Sequence, residues 1–195
     1  MDYDLFLEGF PRSGNTYLAR LFHLQYPHLK IHSHSHVPPK TFWIIQSKKP
    51  LLWIIRDPLF CVPSWTIYTG LDLAEVLQGY IDCYSILLKM KDSISISTFD
   101  EVVENPSKVV QKLNQKFNLN LETFTISDGL KEECFEFINS LYTNEKGQVD
   151  EMRVARPSEE RAKLVLELQV ILKEPRFSKQ LTEAQNLFQK FSSFA

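Results

Sequence analysis

Between Gly9 and Thr16 the sequence gathers one fixed positive charge, Arg12, three short donors, Ser13, Asn15 and Thr16, and a second glycine, Gly14. A short strand from Leu5 to Glu8 leads in, and a helical pattern from about Asn15 to Tyr26 leads out. A glycine-rich turn between a strand and a helix aims several backbone N–H groups at one point, with the positive end of the helix behind them. Its chemistry is the holding of a phosphate or a sulfate. A second pair, Arg56 and Ser64, stands eight residues apart, the arginine closing the apolar run Leu51 to Ile55 and the serine inside the helix expected after it. Two to three helical turns return Ser64 to the carboxyl end of that strand, where open α/β sheets bind ligands. Two anion sites side by side suit a nucleotide with phosphates at both ends.

A third cluster is "KIHSHSHVPP", Lys30 to Pro39, with His32, His34 and His36 at alternate positions. In a strand all three share one face. His32 reads as a core histidine. Zinc is a competing reading for the trio, but three ligands strung along one strand converge poorly on one ion. His36, last before the prolines, falls at the strand's carboxyl edge beside the first loop, and an imidazole titrating near neutrality suits proton acceptance from a hydroxyl.

These residues need a scaffold that brings strand ends together. Strands are expected at Leu5–Glu8, Lys30–Val37, Leu51–Ile55 and Ser93–Thr98. Helices alternate with them at Asn15–Tyr26, from Pro58 after an Asp57 cap, at Asp72–Lys91 and at Glu101–Phe117. Pro63 is expected to kink the second of these. The alternation predicts an α/β fold, a doubly wound parallel sheet flanked by helices and P-loop NTPase-like, with a mostly helical C-terminal part. There Asp128–Thr143, Ser158–Leu172 and a last helix from about Phe177 follow, the last carrying a core stripe of Phe177, Leu181, Ala184, Phe188 and Phe191. Asn144 to Pro157 is the one long polar loop.

The chain has 195 residues, a single domain's worth, with 44% hydrophobic and 24% charged residues. A formal net charge of −2 advertises no basic face, so nucleic acid is not an expected partner and anion recognition must be local. Cys61, Cys83 and Cys134 are odd in number and widely spaced, which points away from a disulfide framework and toward a reducing compartment. An acidic N-terminus with a short apolar run does not read as a signal peptide, and no segment approaches a membrane span. A cytoplasmic location is expected.

The first loop nearly spells the nucleotide P-loop, G-x-x-x-x-G-K-[ST], but Asn15 takes the place of the lysine and Arg12 sits three residues earlier. Asp57 follows Arg56 and reads as a helix cap rather than a magnesium-holding carboxylate. "PRSGNTYL" instead resembles the 5′-phosphosulfate-binding loop of the sulfotransferase family, and "IIRDPLFCVPS" resembles its 3′-phosphate-binding segment at the same Arg-to-Ser spacing. "STFDEVVENPSKVVQKLNQKF" is similar to the stretch after the family's fourth core strand, so the likeness runs from about Leu5 to Leu119. The resemblance implies 3′-phosphoadenosine-5′-phosphosulfate (PAPS) as sulfuryl donor, adenosine 3′,5′-bisphosphate (PAP) as product, no required metal, and a small-molecule or glycan acceptor. It places Arg12 at the donor's 5′-phosphate and bridging oxygen, Ser13, Gly14, Asn15 and Thr16 on the cradle, Tyr17 against the adenine, and Arg56 and Ser64 on the 3′-phosphate. Phe99 falls where some members have a tyrosine near the nucleotide. "HSHVP" resembles the family's Lys-Thr-His-Leu-Pro-like segment, which makes His36 the general base and puts His34 in the lysine's place.

The family's late Arg-Lys-Gly-type loop is not evident, and Lys146, Arg153 and Arg156 are its candidate substitutes. The chain is shorter than typical members, which implies abbreviated acceptor-covering segments. Phe10, Phe42, Trp43, Trp65 and Tyr68 read either as an apolar acceptor pocket or as core. Two alternatives stay open: a small-molecule kinase using ATP and magnesium, and a nucleotide-binding protein without catalysis.

Overall fold

The computed structural model describes residues 2–34 and 38–195. Four parallel strands, β1 (Leu5–Gly9), β2 (Ile31–Ser33), β3 (Leu51–Ile55) and β4 (Ser95–Thr98), lie in the order β2-β1-β3-β4. The order reverses between β1 and β3, which pair from Phe6↔Leu51 to Gly9↔Ile54. Connections on the two sides of that junction leave in opposite directions, opening a crevice at the strands' carboxyl ends. The loop after β1 and Arg56 after β3 both start there.

Every residue of β1 and β3 is buried, as parallel strands covered on both faces require. Alternation divides them between two cores. Phe6, Leu51, Trp53 and Ile55 face one layer, packed with α3 (Pro58–Thr69), α4 (Leu73–Leu88) and α9 (Ser178–Ser192). Leu5, Leu7, Leu52 and Ile54 face the other, under α1 (Asn15–Gln25), α6 (Pro106–Phe117) and α7 (Asp128–Leu141). Trp53 is wholly buried at the sheet's centre. Of the predicted stripe, Phe177, just before α9, and Ala184 and Phe191 of α9 are buried in the first core with Phe188 half-buried against it, and Leu181 is buried as well.

Local chemistry sets the helix starts. Asp57 accepts from the Leu59 N–H at 2.8 Å with Pro58 in the first turn, and Pro63 is accommodated inside α3. Thr98 and Glu101 form a reciprocal capping box on α5 (Phe99–Glu104).

Three expectations are corrected. The second strand ends at Ser33 rather than Val37, because His34 takes a left-handed φ of 70° that leaves the extended region. Pro38–Gln46 forms a helix, α2, where only a strand-stopping proline pair was read; Pro38 occupies a first-turn position that needs no N–H donor. The helix expected over Glu101–Phe117 is two helices, α5 and α6, since Pro106 cannot donate to a continuing ladder and Asn105 caps the restart. At smaller scale, Ser93 belongs to a 3₁₀ turn (Lys91–Ser93) rather than to β4. The polar loop before α8 (Glu159–Leu172) carries a single antiparallel bridge, Thr143↔Val149.

Candidate functional site

The turn after β1 is shaped by what it cannot hold. A Cβ on Gly9 would stand 2.7 Å from the Ile54 carbonyl and 2.6 Å from Asn15 Oδ1, so only glycine lets β1 and β3 come this close. Gly14 is the N-cap of α1 with φ 90°, and no side chain caps the helix. The first-turn N–H groups of α1 therefore face the loop. The Ser13 N–H closes the turn onto the Phe10 carbonyl at 3.2 Å, while Ser13 Oγ is buried without a partner. Ser13 is wholly buried and does not line the cavity, whereas Gly14, Asn15 and Thr16 do. Asn15 does not serve the cradle with its side chain, as the sequence suggested. Its amide donates inward to the carbonyls of Phe10 (3.2 Å) and Gly9 (3.4 Å), bracing the loop from beneath.

Arg12, itself at a left-handed φ of 68°, reaches across to the second motif. Its Nε donates to Ser64 Oγ at 3.1 Å, Nη1 to the Arg153 carbonyl at 2.9 Å and Nη2 to the Val154 carbonyl at 2.8 Å. Arg56 Nη1 donates to the Arg12 carbonyl at 2.7 Å, and its guanidinium lies over the Phe99 ring at 3.9 Å. The Arg56 backbone is fixed too: its carbonyl accepts from Tyr80 Oη at 3.0 Å. So Phe99 supports an arginine, through a cation–π contact that gains strength out of water.

A third arginine, absent from the sequence reading, completes the cluster. Arg161 on α8 is only 8% exposed and lines the same cavity as Arg12 and Arg56. Its guanidinium donates to the carbonyls of Glu151 (3.1 Å), Val154 (2.6 Å) and Arg156. Among the described residues, no carboxylate lies within salt-bridge distance of Arg12, Arg56 or Arg161. Burial, then repulsion from Arg161, pushes the Arg12 guanidinium down to about 10. Burial also lowers Arg56, and burial followed by repulsion from Arg56 lowers Arg161. Like charges drawn together out of full contact with water and without a carboxylate partner are costly, and an anion is their natural complement.

The late-loop candidates behave differently from what was expected. Arg156 is bound by both oxygens of Glu151, at 2.6 and 3.0 Å, and by Asn139 Oδ1 at 2.6 Å. Lys146 is exposed on the loop and is not part of the cavity wall. Arg153 lies 4.6 Å over the Tyr68 ring and lends its carbonyl to Arg12.

The cavity holds about 810 Å³, ample for a nucleotide. One wall is aromatic: Tyr17 and Phe135 stand with ring centroids 5.8 Å apart, and burial pushes the Tyr17 phenol up to about 12. Trp65 and Tyr68, stacked at 5.0 Å, form another wall. Phe10 is core, edge-on to Tyr80, while Phe42 (51% exposed) and Trp43 (63%) project from α2 outside the cavity.

His34 lies at the cavity's edge, its Nε2 2.9 Å from Thr16 Oγ1 and its Nδ1 2.6 Å from Ser33 Oγ. Thr16, expected on the anion cradle, thus holds a histidine. His32 packs in structural fashion, 5.0 Å from the Tyr3 ring and 5.4 Å from Phe6, with Nδ1 3.5 Å from the buried Glu8. His36, the predicted base, lies outside the described residues. With β2 ending at Ser33, the expectation of three histidines along one strand face does not hold.

Among solved structures the chain is similar to the mouse sulfotransferase SULT7A1 complexed with PAP, at a TM-score of 0.58 and 13% identity, over 100% of this chain and 90% of that one. At this identity the likeness is one of fold: the α/β, P-loop NTPase-like architecture of a sulfotransferase. No protein-family model matches the sequence, and no curated protein does. No described helix is long and apolar enough to cross a membrane. The three cysteines are free and buried.

Proposed function

We propose that this chain is a sulfotransferase that moves a sulfuryl group from PAPS to a hydroxyl or amine of a small-molecule or glycan acceptor, without a metal. The observation that carries the reading is the 3.1 Å bond from Arg12 to Ser64, which joins two anion motifs 52 residues apart on one cavity. Support also comes from the fold's likeness to a sulfotransferase complexed with PAP.

The residues fit such a ligand. The uncapped N-terminus of α1, with Gly14 and Thr16 on the cavity wall, would receive the 5′-phosphate oxygens, Arg56 and Ser64 the 3′-phosphate, and Tyr17 the adenine. The donor supplies an activated sulfuryl group. Arg12 and the loop N–H groups would hold the negative charge that builds on the bridging oxygen, a preorganised field that need not rearrange during transfer. A loose, charge-dispersed transition state asks for this kind of positioning more than for covalent help. Positive charge that a kinase takes from lysine and magnesium comes here from arginines.

The acceptor's proton goes to a histidine of the segment after β2. The sequence favours His36; His34, at the cavity edge with its ring nitrogens in a hydrogen-bonded chain to Thr16 and Ser33, is the competitor. Transfer of a labelled sulfuryl group from PAPS, in the presence of a chelator and across a panel of alcohols, phenols and amines, tests the proposal. Transfer to at least one acceptor is expected; PAP binding with no transfer to any acceptor would leave a binding protein instead.

A further inference from the structure

Helix α3 meets Arg12 twice from one face. Ser64 and Tyr68 are one helical turn apart on it, so their side chains leave on the same side. Ser64 Oγ accepts from Arg12 Nε at 3.1 Å and fixes one edge of the guanidinium. Arg12 Cζ stands over the Tyr68 ring, 5.6 Å from its centroid. Arg153 stands over the same ring at 4.6 Å, and its carbonyl accepts from Arg12 Nη1 at 2.9 Å. The ring is itself braced by Trp65, stacked on it at 5.0 Å with 11° between the planes. Arg12, Trp65 and Tyr68 all line the cavity.

The hydrogen bonds of Arg12 run to a hydroxyl and two carbonyls, neutral oxygens that set where its N–H groups point but do not balance its charge. A carboxylate would balance it, yet a carboxylate would also occupy the planar fork that an incoming anion needs. An aromatic face avoids that conflict. It is negative over its centre and attracts a cation without using up an N–H donor. The arrangement recurs at the second anion motif, where Arg56 lies 3.9 Å over Phe99 and 5.9 Å over Phe60. We propose that Tyr68 is a positioning residue of this site: its ring, braced by Trp65, holds the Arg12 guanidinium in place for the donor without competing for the anion. The proposal rests on the sulfotransferase reading above, and it gives Tyr68 a task other than the acceptor pocket or core that the sequence left open.

Two other roles compete, a direct contact from Tyr68 to the nucleotide and a purely structural place in α3. Titration with PAP of wild type, Tyr68→Phe, Tyr68→Leu, Arg12→Ala and the double variant separates them. Tyr68→Phe keeps the ring and should bind within about twofold of wild type, whereas Tyr68→Leu should bind roughly three- to tenfold more weakly. In the Arg12→Ala background the leucine should cost less than about twofold further, because the group it acts through is gone. Equal losses from Tyr68→Leu with and without Arg12 would overturn the proposal, and so would a Tyr68→Phe loss as large as that of Tyr68→Leu. Should Tyr68→Leu fail to fold, Tyr68→Met, which fills similar space without a ring face, carries the cycle. Failure of wild type to bind PAP would strike the sulfotransferase reading instead. The same cycle, read by chemical denaturation of the unliganded chain, then decides on Tyr68: non-additive losses of stability uphold its hold on Arg12, and additive ones overturn it.

Discussion

Arg12 ties three segments together, since its side chain touches Ser64 and the loop before α8 while its backbone shapes the first turn. Arg12→Ala should nearly abolish transfer, and Arg12→Lys should retain a fraction of it, because lysine keeps a point charge but not the planar fork. Activity of Arg12→Ala equal to wild type would remove the residue from the mechanism. Its pH behaviour has a definite sign. An arginine lowered to about 10 is still charged near neutrality and loses its proton as pH rises through that value. Affinity for the bisphosphate should therefore be flat from pH 7 to 9 and fall above about 10; bound anion favours the charged form, so the fall shifts upward at saturating ligand. A titration series across that range checks it, and affinity rising with pH would refute it. At the base, general catalysis is worth about 10²–10⁴-fold, so His36→Ala should slow single-turnover transfer by that factor with little change in bisphosphate affinity. If His34→Ala shows the loss instead, the proton acceptor is the residue bonded to Thr16. That Arg12, Arg56 and Ser64 would come to one crevice was readable in the sequence, because the spacing of strand, glycine turn and helix implies which strand end each one follows. Arg161 was not, because it belongs to no motif. The trace it left was a basic residue at the third position after a Ser158 cap, where a capping box would place Glu or Gln.

Elements were legible where one local force dominates. β3 was plain from its unbroken apolar run, and α3 from its Asp-Pro start. β2 was misjudged because alternating histidines and serines imitate a half-buried strand, whereas the left-handed φ at His34 depends on contacts with Thr16 and Ser33 that no local pattern reveals. The split between α5 and α6 was legible in principle, since Asn105-Pro106 is a stop followed by a start. Gly14 is the element-scale test. With φ 90° and a built Cβ 3.1 Å from Phe99, Gly14→Ala combines backbone strain with a push on the ring beneath Arg56. Gly70 has a similar φ of 73° but open space around its Cβ. Gly70→Ala should cost about 1 kcal/mol from strain alone, and Gly14→Ala more than that, with loss of bisphosphate affinity as well. Chemical denaturation of the two variants measures the difference. Equal costs and unchanged binding would mean that the loop yields without consequence.

At the scale of the molecule, a net charge of −2 leaves positive charge gathered locally on three converging arginines, Arg161 buried and Arg12 and Arg56 half-buried. The fold holds these charges at the reversal between β1 and β3, with both cores fixing the strands that present them. Their mutual repulsion is relieved by a matching anion, so ligand binding and stability should be linked. At a hundred times its dissociation constant the bisphosphate should stabilise the chain by about 2.7 kcal/mol, or roughly 5–11 °C in Tm for a domain of this size. The identity of that anion is the central claim. It is tested most directly by calorimetric titration with adenosine 3′,5′-bisphosphate in chelator, set against ATP with magnesium. The account predicts tight, metal-free binding of the bisphosphate and weak binding of ATP, with Arg56→Ala reducing the bisphosphate affinity roughly ten- to a hundredfold, the loss of a charge-assisted bond of about 1.5–3 kcal/mol. Tighter binding of ATP with magnesium than of the bisphosphate would contradict it.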